Sequence, residues 1–313
     1  DDPVVQAQCL ALWSLTLAWE ANFLEEVAER ERLLTQSEQV LERAAHLGWD
    51  TRAEQAMIHL GRAYATGNQA RGMAIQESRR AQALFREAGD RRGMAETSRV
   101  MGVNYLFLGA FDKAKGYLRE NLAISEEEED KRSIAETTSD LGLVAQHQGQ
   151  YEEAEALHRQ ALSLYRNLQN LHQEGYTLIV LSFTQSWAGS FTAAGESARL
   201  SVEIQREISD VPELWGLIAV CLSALHLGNY AEASFMAVEA LELASQRGHA
   251  LEKAFALMFL GDIAFVDGDL MTTADYLAQS AALMAEVRYV YQALPRANFC
   301  CVSRAQGDHE KAY

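Results

Sequence analysis

The side chains best suited to catalysis or metal binding are scattered through this sequence of 313 residues. Two histidines, His147 and His226, have no carboxylate or cysteine near them at the spacing that a metal site needs. The sequence also contains no zinc-protease helix pattern, phosphate-binding loop, nucleophile elbow or dinucleotide fingerprint. We therefore expect no enzymatic activity, no metal and no cofactor. We interpret the chain as a binding scaffold for another molecule.

Four cysteines occur, and their spacing fits no disulfide framework: Cys9, Cys221, Cys300 and Cys301. On a helix, the adjacent pair Cys300 and Cys301 would point about 100° apart. Cysteine often serves as a small buried apolar residue, and thiols without a framework are typical of a reducing compartment. We therefore predict a cytoplasmic protein.

The charge balance limits the possible partners. The net charge is −17 and the isoelectric point is about 4.9, so the surface would repel nucleic acid phosphates and an anionic bilayer. No run of 18 apolar residues and no signal-peptide layout occurs. The densest acidic run, residues 125–130, is interpreted as a solvated helix end or as a docking site for a basic partner.

A repeat of 39 or 40 residues organises most of the chain. A glycine recurs at Gly109, Gly149, Gly189, Gly228, Gly268 and Gly307. Two residues after each glycine comes a bulky side chain: Phe111, Tyr151, Phe191, Tyr230, Leu270 and His309. Glycine readily adopts the left-handed conformation that ends a helix. Each repeat therefore predicts a helix, a glycine turn and a second helix.

Small residues recur on both predicted helices of each repeat. Seven residues before the turn glycine lie Gly102, Gly142, Ser182, Cys221, Gly261 and Cys300. Five residues after it lie Ala114, Ala154, Ala194, Ala233 and Ala312. Small side chains at such positions let two antiparallel helices approach closely. Only three prolines occur, all near predicted helix starts, so the pattern favours an all-α protein.

This pattern resembles that of tetratricopeptide-repeat (TPR) proteins, whose small eighth, twentieth and twenty-seventh positions match Gly142, Ala154 and Ala161. The resemblance implies a right-handed superhelical solenoid of about seven to eight antiparallel helix pairs. The common unit of that family has 34 residues, so helices here should be about a turn longer. The lengthened unit resembles the C-terminal sensor domain of bacterial signal-transducing STAND-type NTPases and related transcription activators. An upstream NTPase domain is what this resemblance implies.

Two parts are expected along the chain. Residues 1–48, which include Trp13 and Trp19, should form a divergent helix pair or cap, and residues 49–313 should form the array. The last unit begins near residue 289 and stops as its second helix should begin, so we expect a piece of a longer protein.

Two departures from the repeat carry their own expectations. Asn121 replaces an expected alanine and predicts a looser or solvent-facing contact. Thr273, followed by Ala274, predicts a small shift in register.

In the TPR family the first helix of each pair lines the concave groove, and the resemblance places a set of candidate ligand-binding residues there. They are Phe107, Gln146, His147, Tyr176, Phe183, Trp187, Trp215, Leu222, His226, Phe255, Met258 and Phe265. The earlier part of this groove is mixed and polar, whereas the later part is aromatic and aliphatic. Exposed apolar patches and aromatics mark interaction sites. Packing between adjacent first helices is the alternative.

The function expected from these features is a sensor or scaffold module that captures a protein or peptide in its groove. The alternative is a receptor for a small inducer such as a sugar, which aromatic side chains could stack against. A peptide should depend on residues from several repeats, and a small inducer on two or three adjacent residues.

Overall fold

The computed structural model describes residues 27–286 except 67–69 and 210–212, together with five residues among the first ten: Pro3, Gln6, Ala7, Cys9 and Leu10. Every regular element in this part is an α-helix. The helices are α1 (Val27–His46), α2 (Arg52–Thr66), α3 (Arg71–Ala88), α4 (Arg91–Phe107), α5 (Phe111–Glu127), α6 (Lys131–His147), α7 (Tyr151–Asn167), α8 (Leu171–Trp187), α9 (Phe191–Ile208), α10 (Leu214–His226), α11 (Tyr230–Arg247), α12 (Ala250–Val266) and α13 (Leu270–Glu286). The predicted all-α fold is confirmed.

The chain divides into two compact units, Asp1–Gln150 and Tyr151–Tyr313. In the first unit, each of the helices α1 to α5 contacts the next one, and α2 contacts α4 while α4 contacts α6. In the second unit, each of the helices α7 to α12 contacts the next one, and α8 contacts α10 while α10 contacts α12. Within each unit, therefore, the first helices of successive pairs lie side by side. We call the exposed surface formed by these first helices the first-helix face of that unit.

The repeat length follows from the helix bounds. Helices α4 to α8 have 17 residues each, and three residues separate one helix from the next. The predicted turn glycines adopt the left-handed conformation, with φ between 72° and 81° at Gly109, Gly149, Gly189, Gly228 and Gly268. Four residues separate α2 from α3.

The small positions bring paired helices together. A Cβ atom on Gly102 would lie 2.7 Å from Leu118 Cγ, and one on Gly261 would lie 3.0 Å from Leu277 Cγ. Both leucines come from the second helix of the same pair and are fully buried. A glycine at this position thus makes room for the leucine that fills the helix interface.

The expectation that Asn121 loosens its pair is wrong. Its side chain is fully buried, and its Nδ2 donates a hydrogen bond of 2.8 Å to the Ala95 carbonyl. Its Oδ1 accepts a hydrogen bond from the Thr137 hydroxyl of the next first helix. Ser280 Oγ makes the corresponding bond of 2.7 Å to the Ala254 carbonyl in the second unit. A polar residue is stable here because a carbonyl on the first helix satisfies it.

The register shift expected at Thr273 is also wrong. Thr273 is fully buried in the regular position, and its hydroxyl donates a hydrogen bond of 2.7 Å to the Asp269 carbonyl. Trp13, Trp19, the half unit from residue 289, Cys300 and Cys301 lie outside the described residues.

Candidate functional site

The predicted groove residues all lie on first helices, but they differ in exposure. Phe107, His147, Tyr176, Trp187, His226 and Phe265 are exposed, and Phe183, Trp215, Leu222 and Phe255 are half-buried. Gln146 and Met258, which we expected to line the groove, are 5% and 7% exposed. Their side chains pack inside the protein and offer a ligand little surface.

An aromatic ladder runs along the first-helix face of the second unit. It consists of Trp187 and Phe183 on α8, Trp215 on α10 and Phe255 on α12. The Phe183 ring centroid lies 6.3 Å from that of Trp187 and 6.1 Å from that of Trp215. Trp215 in turn lies 5.5 Å from Phe255. Edge-to-face and tilted contacts at these separations are favourable arrangements for aromatic pairs.

Three of the four ladder residues are packed, and Trp187 is exposed. Phe183, Trp215 and Phe255 pack against the buried core of the second unit. Trp187, by contrast, is 47% exposed, and Phe265 near the end of α12 is 44% exposed. The packed residues fit the alternative of packing between first helices, and ligand binding by the exposed ones stays a prediction. The middle residues pack between repeats, and the outer aromatics remain available to a ligand.

One aromatic contact beside this face was not predicted from the sequence. Phe191, the first residue of α9, stacks on the exposed His226 ring at 4.2 Å and 15°. Nδ1 of His226 lies 2.8 Å from the Leu222 carbonyl. Phe191 was recognised only as the bulky residue after a turn glycine, since its stacking depends on the neighbouring repeat.

The first-helix face of the first unit is charged instead. Arg99 on α4 donates hydrogen bonds of 3.0 Å to Glu96 and 3.2 Å to Asp140, and it lies 3.6 Å from Glu136. The Tyr64 hydroxyl of α2 also donates to Glu96. Three first helices are thus joined through one guanidinium.

Burial of this charge cluster changes the acidity of one member. The pKa of Asp140 rises to about 6 because burial disfavours its charged form, although Arg99 opposes that rise. The cluster borders a cleft of about 670 Å³, whose lining includes Tyr64, Glu96, Arg99 and Glu136. No residue of this cluster was among the candidate ligand-binding residues, because those were chosen from the aromatic and aliphatic part of the groove with Phe107, Gln146 and His147.

A second group lies at the helix ends of the first unit. The guanidinium carbon of Arg71, the first residue of α3, lies 4.2 Å from the Phe107 ring centroid. The Phe107 and His147 rings meet edge-on, with centroids 6.2 Å apart. Phe107 and His147 were predicted site residues, and Arg71 was not.

Within the part of the chain that the structure describes, no helix is long and apolar enough to cross a membrane. Among the same residues, no group of three or more His, Cys, Asp or Glu side chains could hold a metal ion.

Comparison with known proteins agrees with the helix-pair architecture. The tetratricopeptide repeat family profile matches residues 134–168, which lie within one predicted repeat. No curated protein matches the sequence.

Several solved structures share the fold at low sequence identity. The apo form of the quorum sensor NprR from B. thuringiensis is 14% identical, with a TM-score of 0.74, covering 100% of this chain and 86% of that one. A Rap conjugation gene regulator of the plasmid pLS20, in complex with the Phr* peptide, is 17% identical, with a TM-score of 0.68, covering 88% and 74%.

A third structure is a signal transduction ATPase with numerous domains from Pyrococcus horikoshii, which has a tetratricopeptide repeat sensor. It is 14% identical, with a TM-score of 0.67; the match covers 92% of this chain and 43% of the ATPase. The chain has the fold of a tetratricopeptide-type repeat protein, similar to that of regulators and of a STAND protein with a TPR sensor.

Proposed function

We propose that this chain is a non-catalytic binding module that captures an extended peptide on the first-helix face of its second unit. The observation that carries the proposal is the aromatic ladder, together with the exposed aromatics Tyr176, Trp187 and Phe265 beside it. Exposed aromatics on a packed base lose little side-chain freedom on binding, which makes them effective anchors.

The dimensions of this face suit a peptide in extended conformation. Packed helices lie about 8–10 Å apart, so α8, α10 and α12 together span about 20 Å. An extended chain of about six residues covers that distance at roughly 3.3 Å per residue. Because nearly all predicted groove residues here are apolar, the bound segment should present aromatic or aliphatic side chains.

The structural relatives support this choice of ligand. One of them holds the Phr* peptide, another is a quorum sensor, and a third carries a TPR sensor within a larger ATPase. By analogy, we place this module in the cytoplasm as the sensor part of a longer signalling protein with an upstream NTPase domain. Fold similarity alone supports that context.

The test starts from a displayed library of random peptides selected against the protein. The tightest peptide is then synthesised with a fluorophore, and its Kd is measured by anisotropy. Trp187→Ala and Phe265→Ala should each weaken binding by about tenfold or more, because interface aromatics typically contribute over 1.4 kcal/mol. Both side chains are exposed, so helix content should stay unchanged.

Phe235→Ala is the matched control. Phe235 is 65% exposed on α11, a second helix, and its loss should leave the Kd unchanged. The proposal fails if Phe235→Ala weakens binding as much as Trp187→Ala does, or if the library yields no binder. Dependence on Trp187 without Phe265 would instead favour a small ligand that contacts one repeat.

A further inference from the structure

We infer that the first unit contains a carboxylate-binding site at Arg71, formed with Phe107 and His147. This inference goes beyond the proposed peptide face of the second unit. It rests on the proposed function only where it assigns the carboxylate to a peptide.

The first observation is that Arg71 has no acidic partner in the described part of the chain. Among the described residues, four arginines are half-buried: Arg62, Arg71, Arg99 and Arg199. Arg62 pairs with Glu38, Arg99 with its acidic cluster and Arg199 with Glu232. Among the described residues, no carboxylate contacts Arg71, and burial lowers the pKa of its guanidinium. A half-buried charge without a counter-ion is costly, and an arriving anion would remove that cost.

The second observation is the geometry around this guanidinium. Arg71 lies over the Phe107 ring at 4.2 Å, and the Phe107 ring in turn meets His147 edge-on. Stacking on a ring holds a guanidinium in place without using its N–H donors. Those donors form a planar fork that matches the two oxygens of a carboxylate.

The start of helix α3 favours an anion beside Arg71. Arg71 begins helix α3, and the residue before it, Ala70, has no side chain that could cap the helix. A Cβ atom added to the neighbouring Gly72 would meet nothing within 4 Å. The partial positive charge of the helix start adds to that of the guanidinium.

The position of the site indicates that the carboxylate belongs to a ligand lying on the first-helix face of this unit. Phe107 and His147 are the last residues of the neighbouring first helices α4 and α6. A ligand along the first-helix face of this unit would meet Arg71 at the end of those helices. Either a peptide C-terminus or an Asp or Glu side chain supplies the same chemistry.

The test is an NMR titration of arginine Nε–Hε signals in the full chain, with sodium acetate as the probe and equal sodium chloride as the reference. The Arg71 signal, assigned through Arg71→Gln, should shift and saturate with acetate. Arg119 is an exposed control on α5 with no partner among the described residues, and its signal should not saturate. Arg71→Lys keeps the charge but lacks the fork, so acetate binding followed on the Phe107 ring signals should weaken by about threefold or more.

Two further probes separate the possible sources. N-acetyl-leucine offers a main-chain carboxylate, and aspartate blocked at both main-chain ends offers a side-chain carboxylate. Tighter binding of either probe supports the site and identifies the source. The inference is overturned if acetate shifts Arg71 no more than chloride does, or shifts Arg119 equally. These readouts do not involve Trp187 or Phe265, so the site and the proposed peptide face can fail separately.

Discussion

His158 is an ionisable residue at a position where two other repeats have leucine. It lies on α7, four residues after a buried small position, as Leu118 and Leu277 do in their helices. The side chain is fully buried, and neither ring nitrogen has a hydrogen-bond partner in the part of the chain that the structure describes. Burial lowers the pKa of His158 from 6.5 to about 4. The neutral imidazole therefore acts as a core residue with unsatisfied polar atoms.

This arrangement predicts that His158→Leu stabilises the protein. At pH 7.5 the gain should be about 1–3 kcal/mol, because two unsatisfied polar atoms are removed. As the folded-state pKa is lowered, the native protein binds fewer protons than the unfolded chain between pH 6.5 and 4. The parent should therefore lose up to about 3 kcal/mol over that window, and the variant should not.

Urea unfolding at pH 7.5, 5.5 and 4.5 measures both effects as the difference between variant and parent. A difference that stays constant with pH would show that folding does not lower the pKa of His158.

At the scale of elements, the ends of the second helices differ between repeats. Gly89 and Gly248 end α3 and α11 in the left-handed conformation, with φ of 73°. In the corresponding places after α5 and α7, Glu129 and Gln169 have φ of 53°. A side chain with a Cβ atom is strained in this conformation by about 1 kcal/mol.

Glu129→Gly and Gln169→Gly should therefore each stabilise the protein by about 0.5–1 kcal/mol, measured by thermal unfolding. The reverse change, Gly89→Ala, should lower stability by a similar amount. A loss of stability in both glycine variants would mean that these turns are not left-handed.

The close helix contact at Gly102 gives a second element-scale prediction. Gly102→Ala places a methyl group 2.7 Å from Leu118 Cγ and 3.3 Å from the Ala114 carbonyl. Overpacking of this kind should cost about 1–3 kcal/mol. Because repeats interact mainly with their neighbours, faster hydrogen exchange should concentrate in α3 to α6.

Gly116→Ala is the matched control in the same helix pair. Gly116 is exposed within α5, and an added Cβ atom would meet nothing within 4 Å. Alanine there should stabilise the helix by about 0.5–1 kcal/mol. If both alanine variants have the same stability, the close contact at Gly102 is wrong.

The helices themselves could be predicted because their signals are local. A turn glycine follows each first helix, and small residues at fixed spacing place the second. Asn121 and Thr273 were misinterpreted because their hydrogen-bond partners decide whether a polar residue fits a core. Those partners, Ala95 and Thr137 for Asn121, lie 26 and 16 residues away.

The candidate site was less predictable. Register placed the candidate residues on first helices, but exposure depends on how far the neighbouring first helix covers each one. Met258 is buried for that reason, whereas Phe265 on the same helix is exposed. Asp140 beside Arg99 and Phe107 beside Arg71 lie on other helices, which residue spacing along one repeat does not reveal.

At the scale of the whole molecule, the two units carry different chemistry on their first helices. The first unit has an acidic cluster around Arg99 and an arginine without an acidic partner among the described residues. The second unit has the aromatic ladder. A protein that used only its repeat architecture would not need this difference. We therefore propose that the apolar side chains of the ligand bind to the second unit.

NMR signals of the tryptophan indole N–H groups can show whether the ligand binds to the second unit. Trp187 and Trp215 belong to the ladder, whereas Trp49 lies in the first unit and donates to Glu54 at 3.2 Å. On titration with a peptide selected from the displayed library, the signals of Trp187 and Trp215 should shift together and saturate. The Trp49 signal should shift less. If the peptide binds to saturation and the signals of Trp187 and Trp215 stay unchanged, the ligand does not bind at the aromatic ladder.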